Sequence, residues 1–309
     1  MAKHVLVIGA TLLDTKGKPL AGLAPGTSNP GEIRSMRGGT ARNVAENLAR
    51  LGADVVLVSA VGDDPTGRQL LIQTAEAGVN LDYVEMLPGR ATGSYLALLE
   101  PDGLLSVALD DVRVMEAITA DYLNRNRALF RDAAMIMFDG SLTESAMRTV
   151  VRLAKEYGVF LCADPSSARL AYKLRPFLAD FDLVVPNEVE EAELCEVDFP
   201  GYDATASLTL ARRLLGAGVE TVVVTLSDFG LNYATTDEIG YIPPSHAKFV
   251  DSTGTGDAVT AAIMFGLLND LPIVEAIRLG AAAAAITLQT NETVVPDLSL
   301  DMLYDHLIV

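Results

Sequence analysis

The heptapeptide Asp251-Ser-Thr-Gly-Thr-Gly-Asp257 has the composition of an anion-binding loop, and it leads directly into the apolar run AVTAAIMFGLL. Its glycines leave backbone N–H groups uncovered, and Thr253 or Thr255 is expected to cap the helix that follows. The first turn of such a helix has unpaired N–H donors at the positive end of the helix dipole. Asp257 then suits a base that takes the proton from a hydroxyl group attacking a bound phosphoryl group. The alternative is a glycine-rich turn with a capping aspartate.

A second glycine-rich helix start lies in Gly38-Gly-Thr-Ala-Arg-Asn43-Val-Ala-Glu-Asn-Leu-Ala-Arg-Leu-Gly52. Apolar residues recur at helical spacing after the glycine pair, and Gly52 is expected to end the helix. The following DVVLVSAVG predicts a strand. Asn43 falls near the first turn, close to the glycines, where its amide can hydrogen-bond a ligand. Helix packing with a polar cap is the alternative.

Composition narrows the class of protein. The chain has 309 residues, half of them hydrophobic, which is enough for one large α/β domain with a full core. Its net charge of −18 argues against nucleic-acid binding and against docking on an anionic membrane, because both need a basic surface. We expect no membrane-spanning segment and no signal peptide. Cys162 and Cys195 indicate no disulfide framework, so a cytoplasmic location is expected.

Apolar runs of strand length alternate with helix-length stretches along the chain. The predicted strands are HVLVIGA, DVVLVSAV, MIMFDG, VFLCAD, DLVVP and TVVVTL. Continuous apolar strands separated by helices predict a doubly wound, mostly parallel sheet with helices on both faces. We expect a single α/β domain over residues 1–309.

Two segments interrupt this alternation. Residues 11–36 are rich in glycine, proline and threonine, and residues 90–112 predict a hairpin around Pro101-Asp102-Gly103. We expect the two segments to form a small β-sheet lid inserted into the domain. The lid would expose the apolar side chains of Leu96, Leu98, Leu105 and Val107. Pairing of two lids in a homodimer would cover them, and a hairpin packed on its own domain is the alternative.

Polar residues follow the ends of several predicted strands. They are Asp14, Asp139, Asp164, Asn187 and Thr225. Ligands bind at the carboxyl ends of the strands in an open α/β sheet, so we expect these side chains to converge on one edge. The alternative for each single residue is a turn or cap.

Basic residues are scarce in the C-terminal part of the chain. After Arg213 the sequence contains only Lys248 and Arg278. If a phosphate binds at the Asp251–Asp257 loop, then backbone N–H groups, the helix dipole and a divalent cation must do most of the neutralisation. The charge pattern therefore predicts strong dependence on a metal ion.

The GGTARN and DSTGTGD segments together resemble the two signatures of the ribokinase-like (PfkB) family of sugar and nucleoside kinases. Shorter matches follow in the family's order at Asp14, Gly62-Asp63, Asn187–Glu190 and Thr225–Gly230, so the resemblance covers nearly the whole chain. Within the family, the segments LDTKGK, PGTSNPG and GGTARNVAENLARLG are most similar to pseudouridine kinases. The resemblance implies a ribokinase-like fold and ATP-dependent phosphorylation of the 5′-hydroxyl of a ribosyl substrate, with pseudouridine as the expected acceptor.

The resemblance also implies a role for each candidate residue. The ribose would be held by Asp14, Gly38, Gly39 and Asn43, with Asp139 as a further acceptor. Asp257 would be the base, and the transition state would be stabilised by the N–H groups of Gly254, Thr255 and Gly256. ATP would contact Asn187, Thr225, Ser227, Gly230 and Thr253. Mg²⁺ would be held by Glu190 and Asn187 through water, and a monovalent cation such as K⁺ is a further cofactor to consider.

Some positions depart from the family pattern. Thr40 stands where ribokinases tend to carry lysine, which argues against ribokinase itself. Ser166 stands where the family often has asparagine, and Ser227 replaces the usual glycine after Thr-Leu. Arg169 and Lys173 are both candidates for reaching the substrate or the phosphate.

Other functions fit parts of the sequence. A ribokinase, another nucleoside kinase or a sugar-acid kinase would use the same chemistry. A catalytically silent nucleotide-binding regulator on the same fold is disfavoured by the intact Asp257 and its glycines. A nicotinamide-dependent oxidoreductase fails, because the first strand leads into Gly9-Ala-Thr-Leu-Leu-Asp14 without a clustered G-x-G-x-x-G loop.

Overall fold

The computed structural model describes residues 3–103, 105–227, 230–244 and 249–307. Lys248, Asp228 and Phe229 of the segments discussed above lie outside these ranges. The described strands are β1 (His4–Ile8), β2 (Leu12–Pro19), β3 (Gly31–Gly38), β4 (Val55–Gly62), β5 (Asn80–Leu87), β6 (Gly93–Leu99), β7 (Leu105–Asp111), β8 (Ala133–Asp139), β9 (Phe160–Asp164), β10 (Leu183–Val184), β11 (Thr221–Thr225), β12 (Leu231–Thr235) and β13 (Ile239–Ile242).

Helices connect most of these strands. The described α-helices are α1 (Thr40–Arg50), α2 (Pro65–Glu76), α3 (Ala120–Arg125), α4 (Arg127–Arg131), α5 (Glu144–Tyr157), α6 (Ala168–Ala171), α7 (Glu188–Leu194), α8 (Ala204–Gly216), α9 (Thr255–Leu268), α10 (Ile273–Thr287) and α11 (Leu300–Asp305). Two 3₁₀ helices span Arg113–Ala117 and Tyr172–Asp180. None of the helices among the described residues is both long and apolar enough to cross a membrane.

Nine strands form one large sheet in the order β13-β12-β11-β10-β9-β8-β1-β4-β5. The six predicted strands form its parallel centre, as β11, β10, β9, β8, β1 and β4. The sequence pattern did not reveal β5, β12 and β13. Strands β5 and β13 each include exposed positions near an edge of the sheet, and β12 carries Asn232 and Tyr233. All three therefore lack the continuous apolar run of a central strand.

The large sheet is buried on both faces. Along β1, Leu6 and Ile8 belong to one hydrophobic core, whereas Val5 and Val7 belong to the other. This division follows from the strand geometry, in which successive side chains point to opposite faces. Helices cover both cores, so the predicted doubly wound α/β fold is confirmed.

Four strands form a second, small sheet in the order β3-β2-β6-β7. Pairs β2–β3 and β6–β7 are antiparallel, while β2 and β6 are parallel. Because side chains alternate along each strand, Asp14, Lys16 and Tyr95 share the face that meets the large domain, which we call the inner face. The outer face carries the exposed side chains of Ile33, Leu96, Leu98, Val107 and Leu109. Leu105 is also exposed.

Helix α7 contains four glutamates, and most of them are buried, unlike those of a solvated surface helix. Glu188 is 5% exposed and Glu191 is fully buried, while Glu193 is half-exposed and pairs with Arg175. Burial raises the pKa of Glu191 to about 8. Helix packing decides this, because α7 lies between α6 and α8 and next to β11.

Candidate active site

The start of α9 is open, as an anion-binding loop requires, but it is not capped as predicted. Gly254 is the N-cap residue, with φ of 80°, and no side chain of the described residues caps the helix there. Thr253 instead hydrogen-bonds Asp251, through its backbone N–H at 2.8 Å and its hydroxyl at 2.7 Å. The prediction that Thr253 or Thr255 caps the helix is therefore wrong. The Thr255 N–H donates to the Ser252 carbonyl at 3.2 Å, whereas the N–H groups of Gly256 and Asp257 have no partner among the described residues and stay available for a ligand.

Glycine and threonine residues shape the same loop. A Cβ on Gly254 would overlap the carbonyl of Thr293, so the backbone can pass there only without a side chain. A Cβ on Gly256 would meet nothing within 4 Å, which leaves space above the helix start. The buried hydroxyl of Thr255 has no partner among the described residues. These features fit a bound phosphate at this position.

Asp257 lies in the first turn of α9 and faces α1. Its Oδ2 accepts a hydrogen bond from Nδ2 of Asn43 at 2.5 Å. Burial raises the pKa of Asp257 to about 6, although the bond from Asn43 and the positive charge of Arg42 both favour the ionised form. A carboxylate with such a pKa can hold or release a proton near neutral pH.

A buried arginine orients Asn43. Arg42 is fully buried, and its guanidinium hydrogen-bonds the side-chain oxygens of Asn43 and Glu46. It also donates to the Gly38 carbonyl at 3.1 Å and to the Thr293 hydroxyl at 3.2 Å. With its oxygen held by Arg42, the amide of Asn43 must present its NH₂ group to Asp257. The sequence analysis did not identify Arg42 as a site residue. A charged residue at the start of a helix with an apolar pattern could have indicated this role.

The glycine pair lets other site residues approach closely. Gly39, with φ of 93°, is the N-cap of α1, and a Cβ there would overlap the carbonyl of Ala10. A Cβ on Gly38 would overlap the carboxylate of Asp14. Asp14 belongs to β2 of the small sheet and is 7% exposed. Burial raises its pKa to about 7, and the nearby charge of Asp257 acts in the same direction.

Asp139 occupies the end of β8 but is engaged within the protein. It is fully buried, and its oxygens accept hydrogen bonds from the N–H groups of Ala10 (2.9 Å), Ala41 (3.1 Å) and Ser141 (2.9 Å), and from the Ser141 hydroxyl. These bonds tie the end of β1 to the start of α1. Asp139 therefore positions the glycine pair, and its geometry differs from that of a free acceptor for a ribose hydroxyl.

Three carboxylates face one another at the sheet edge. Asp164 ends β9 and is 5% exposed, and burial together with the negative charges of Glu190 and Asp257 raises its pKa well above the usual range. Burial also raises the pKa of Glu190 to about 7.

Asn187 and Glu190 form a capping box at the start of α7, in which Asn187 Oδ1 accepts from the Glu190 N–H at 3.0 Å and Glu190 Oε2 accepts from the Asn187 N–H at 2.9 Å.

This acidic donor set fits a divalent cation held partly through water. In the described part of the chain, no three side chains of the usual ligand types come close enough to form a complete metal cage. Mg²⁺ keeps several waters and is typically bound by one or two carboxylates together with phosphate oxygens. Asp164 and Glu190 are the carboxylates available for that arrangement beside Asp257.

The start of α7 and the end of β11 lie side by side. Asn187 and Thr225 form a β-bridge, and the Thr225 N–H donates to the Pro186 carbonyl at 2.9 Å. The N–H of Ser227 donates to Glu188 Oε2 at 2.8 Å. The sequence analysis therefore missed Glu188, which anchors the turn after β11. Gly230 closes this turn, because its carbonyl accepts from the Leu226 N–H at 3.0 Å.

The remaining basic candidates differ in position. Lys173 is half-buried and donates to the Leu142 carbonyl at 2.8 Å, so its ammonium is engaged in the fold. Arg169 is exposed on the short helix α6. Lys16 lies in the segment 11–36 that was predicted to belong to the lid, and it forms an ion pair with Asp251 at 2.7 Å.

Comparison with known proteins shows the family to which the chain belongs. The chain matches the model of the pfkB family of carbohydrate kinases over residues 2–299. It is 33% identical over 298 residues to the pseudouridine kinase of Escherichia coli (strain K12). The match covers 96% of this chain and 94% of that protein.

Solved structures of known proteins share the fold of this chain. A carbohydrate kinase from Agrobacterium tumefaciens is 31% identical, with a TM-score of 0.80 and coverage of 98% of this chain and 96% of that chain. The Arabidopsis thaliana ribokinase complexed with ribose and ATP shares the fold at 22% identity, with a TM-score of 0.82 and coverage of 99% of this chain and 99% of that chain. The chain thus belongs to the pfkB family of carbohydrate kinases and transfers phosphate to a hydroxyl group.

Proposed function

We propose that this kinase uses ATP to phosphorylate the primary 5′-hydroxyl of a ribosyl nucleoside, and that the nucleoside is pseudouridine. The main supporting observation is the hydrogen bond between Asn43 and Asp257 at the open start of α9, with Asp14 close enough to Asp257 for their charges to interact. The proposal is supported by these amide and carboxylate groups, which suit ribose hydroxyls, beside a buried carboxylate and an uncapped helix start. Similarity to a pseudouridine kinase over nearly the whole chain supports the choice of acceptor.

In this proposal, Asp257 takes the proton of the 5′-hydroxyl as its oxygen attacks the γ-phosphorus. Asp14, Gly39 and Asn43 hold the ribose, because carboxylate and amide groups pair well with vicinal hydroxyls. Backbone N–H groups of residues 254–257 donate to the phosphoryl oxygens as negative charge develops. The raised pKa of Asp257 makes it a stronger base than an exposed carboxylate.

In this proposal, the nucleotide side of the site is formed by described residues at the end of β11 and before β12, by the start of α7 and by the α9 loop. We assign the ATP contacts to Asn187, Thr225, Ser227, Gly230 and Thr253. Asp164 and Glu190 would hold Mg²⁺ through water, and the metal when bound neutralises phosphate charge. Asn187 keeps the capping box closed, so that Glu190 stays at the sheet edge.

A nucleoside needs polar partners for its base beyond the ribose. On the inner face of the small sheet, Tyr95 is in register with Asp14 on one side and Asp110 on the other. Two other polar residues of the segments 11–36 and 90–112 are engaged elsewhere, since Thr92 hydrogen-bonds Asp64 at 2.7 Å and Asn29 hydrogen-bonds its own loop. We therefore propose Tyr95 and Asp110 as the residues facing the base.

Substrate preference tests this assignment. We expect kcat/KM for pseudouridine to exceed that for uridine, adenosine and free ribose, because a site that hydrogen-bonds a base leaves its own polar groups unpaired with ribose. Steady-state kinetics with ATP and each acceptor would measure the order. Tyr95→Phe should reduce the preference for pseudouridine over ribose, whereas Tyr304→Phe, at an exposed tyrosine on α11, should leave it unchanged. A clear preference for ribose or a sugar acid would refute the nucleoside assignment while leaving the kinase assignment in place.

The pH dependence of kcat/KM should follow Asp257. A general base must be ionised, so activity should fall as pH decreases through about 6, the pKa given by burial. Asn43→Ala removes a hydrogen bond that favours the carboxylate, so the acid limb should move to higher pH. Asn80→Ala, at an exposed position on β5, is the control. An unmoved acid limb in Asn43→Ala would contradict the role of this contact.

The outer face of the small sheet supports a homodimer. Ile33, Leu98 and Val107 lie in one cross-strand row, and Leu96 and Leu109 lie in the next, all of them exposed. A contiguous apolar face of this kind marks an association surface, and a twofold axis would pair it with its own copy.

Light scattering tests this association. Leu98→Asp places a charge in the centre of the face and should give monomers at micromolar concentration. Ile72→Asp, at an exposed position on α2, should leave the dimer intact. A monomeric wild-type protein at that concentration would rule the homodimer out.

A further inference from the structure

Lys16 brings a positive charge from the small sheet to the α9 loop. Its Nζ lies 2.7 Å from Oδ1 and 2.8 Å from Oδ2 of Asp251, and it hydrogen-bonds the Thr253 hydroxyl. Its side chain is 16% exposed. Asp14, two residues earlier on the same strand, lies on the same inner face and senses the charges of both Lys16 and Asp257. Lys16 therefore lies beside the open helix start and the proposed base.

Asp251 has hydrogen bonds besides those from Lys16. Its Oδ1 already accepts hydrogen bonds from the backbone N–H and the hydroxyl of Thr253, which fold the loop on itself. An ammonium group has three donors on a flexible stem. In this structure all three donors are used, by the two Asp251 oxygens and the Thr253 hydroxyl. An incoming anion would therefore replace one of these acceptors, while Asp251 keeps the ammonium oriented through another donor.

Within the ranges that the structure describes, the cation beside this loop comes from a distant segment of the chain. Among the described residues, the loop's ion pairs come from Lys16. Arg42 also acts on Asp257, but it is fully buried and engaged with Asn43 and Glu46. Negative charge on a transferring phosphoryl group is stabilised by cations and N–H donors placed around it.

We propose that Lys16 is a catalytic residue that donates a hydrogen bond to the transferred phosphoryl group when both substrates are bound. This proposal rests on the phosphoryl transfer from ATP proposed above. The acceptor oxygen forms its bond to the γ-phosphorus as the bond from that phosphorus to the bridging oxygen breaks. ADP leaves with that electron pair. Asp257 takes the hydroxyl proton, and Lys16 keeps its own proton throughout. One strand, β2, then supplies both a ribose contact, Asp14, and the phosphoryl cation.

Replacing the charge of Lys16 tests the role in turnover. We expect Lys16→Met to lower kcat about 10²-fold or more, the effect typical of losing one transition-state donor. The KM for the acceptor should change by less than about threefold, because the lost contact forms in the transition state. Lys16→Arg should recover part of the loss. Lys18→Met, at an exposed lysine on the same strand, is the matched control and should behave like wild type.

Binding gives a readout that does not need turnover. ADP with Mg²⁺ and aluminium fluoride imitates the transferring phosphoryl group, and calorimetry can compare its affinity with that of Mg²⁺-ADP alone. Lys16→Met should weaken the aluminium fluoride complex about 10²-fold, as expected for a contact specific to the transition state, and leave ADP binding unchanged. Equal loss of both affinities, or unchanged kcat, would show that Lys16 is a structural tie.

The two proposals can fail separately. A wild-type protein that phosphorylates none of the nucleosides tested would overturn the proposed acceptor, while the aluminium fluoride measurement would still decide the role of Lys16. A wild-type protein that binds the aluminium fluoride complex no more tightly than ADP would overturn that role. If circular dichroism shows that Lys16→Met is unfolded, Lys16→Gln takes its place in every measurement.

Discussion

Asp257→Asn is expected to lower kcat by about 10²–10⁴-fold, the usual effect of removing a general base. The amide can still accept the hydrogen bond from Asn43 through its oxygen, so α1 and α9 should stay in contact. It cannot take the proton of the attacking hydroxyl. Binding of ATP should be retained, because the first-turn N–H groups of α9 are unchanged. Steady-state kinetics, with calorimetry for ATP, would measure both properties.

Asp301→Asn provides the matched control for this substitution. Asp301 is also an acidic residue in the first turn of a helix, α11, but it is exposed at the surface. It should keep wild-type kcat. Near-wild-type kcat in Asp257→Asn would instead show that the Asp251–Asp257 loop is structural, and the capping interpretation of Asp257 would then be preferred.

Removal of divalent metal is expected to abolish activity, and Mg²⁺ should restore it. The C-terminal part of the chain has few basic residues, and Asp164, Glu190 and Asp257 add mutually repelling negative charge at the sheet edge. An anionic nucleotide can bind beside them only if a cation offsets this charge. Rates measured in excess chelator, before and after adding Mg²⁺, test the expectation, which full activity in chelator would refute.

Glu190→Gln separates the charge of this residue from its structural role. The glutamine side chain retains an oxygen that can accept from the Asn187 N–H, so the capping box at α7 should persist. Loss of the charge should raise the Mg²⁺ concentration needed for half-maximal rate more than it raises the KM of the acceptor. Glu193→Gln removes a charge from the same helix at its pair with Arg175 and should leave the Mg²⁺ requirement unchanged.

The central strands and both glycine-rich helix starts could be predicted from the sequence. Their signals are local: a continuous apolar run indicates a buried parallel strand, and a glycine pair followed by helical periodicity indicates an open helix start. Asp139, Asp164 and Thr225 do lie at the ends of their strands. Asp14 was placed at such an end as well, but it belongs to the small sheet. Strand-end position alone could not separate Asp139, which positions the glycine pair, from Asp164, which lies near Glu190 and Asp257.

The sequence by itself determined the parallel central strands, the glycine-rich helix starts and the family, because each signal lies in residues close together in the chain. Tertiary structure alone decided which side chains meet. Lys16 reaches Asp251 across 235 residues, and Asn43 reaches Asp257 across 214. Burial of Glu188 and Glu191 likewise depends on what packs against α7. Hydrogen bonds, desolvation and charge interactions act over a few ångströms in space, so a linear pattern does not contain them until the chain has folded.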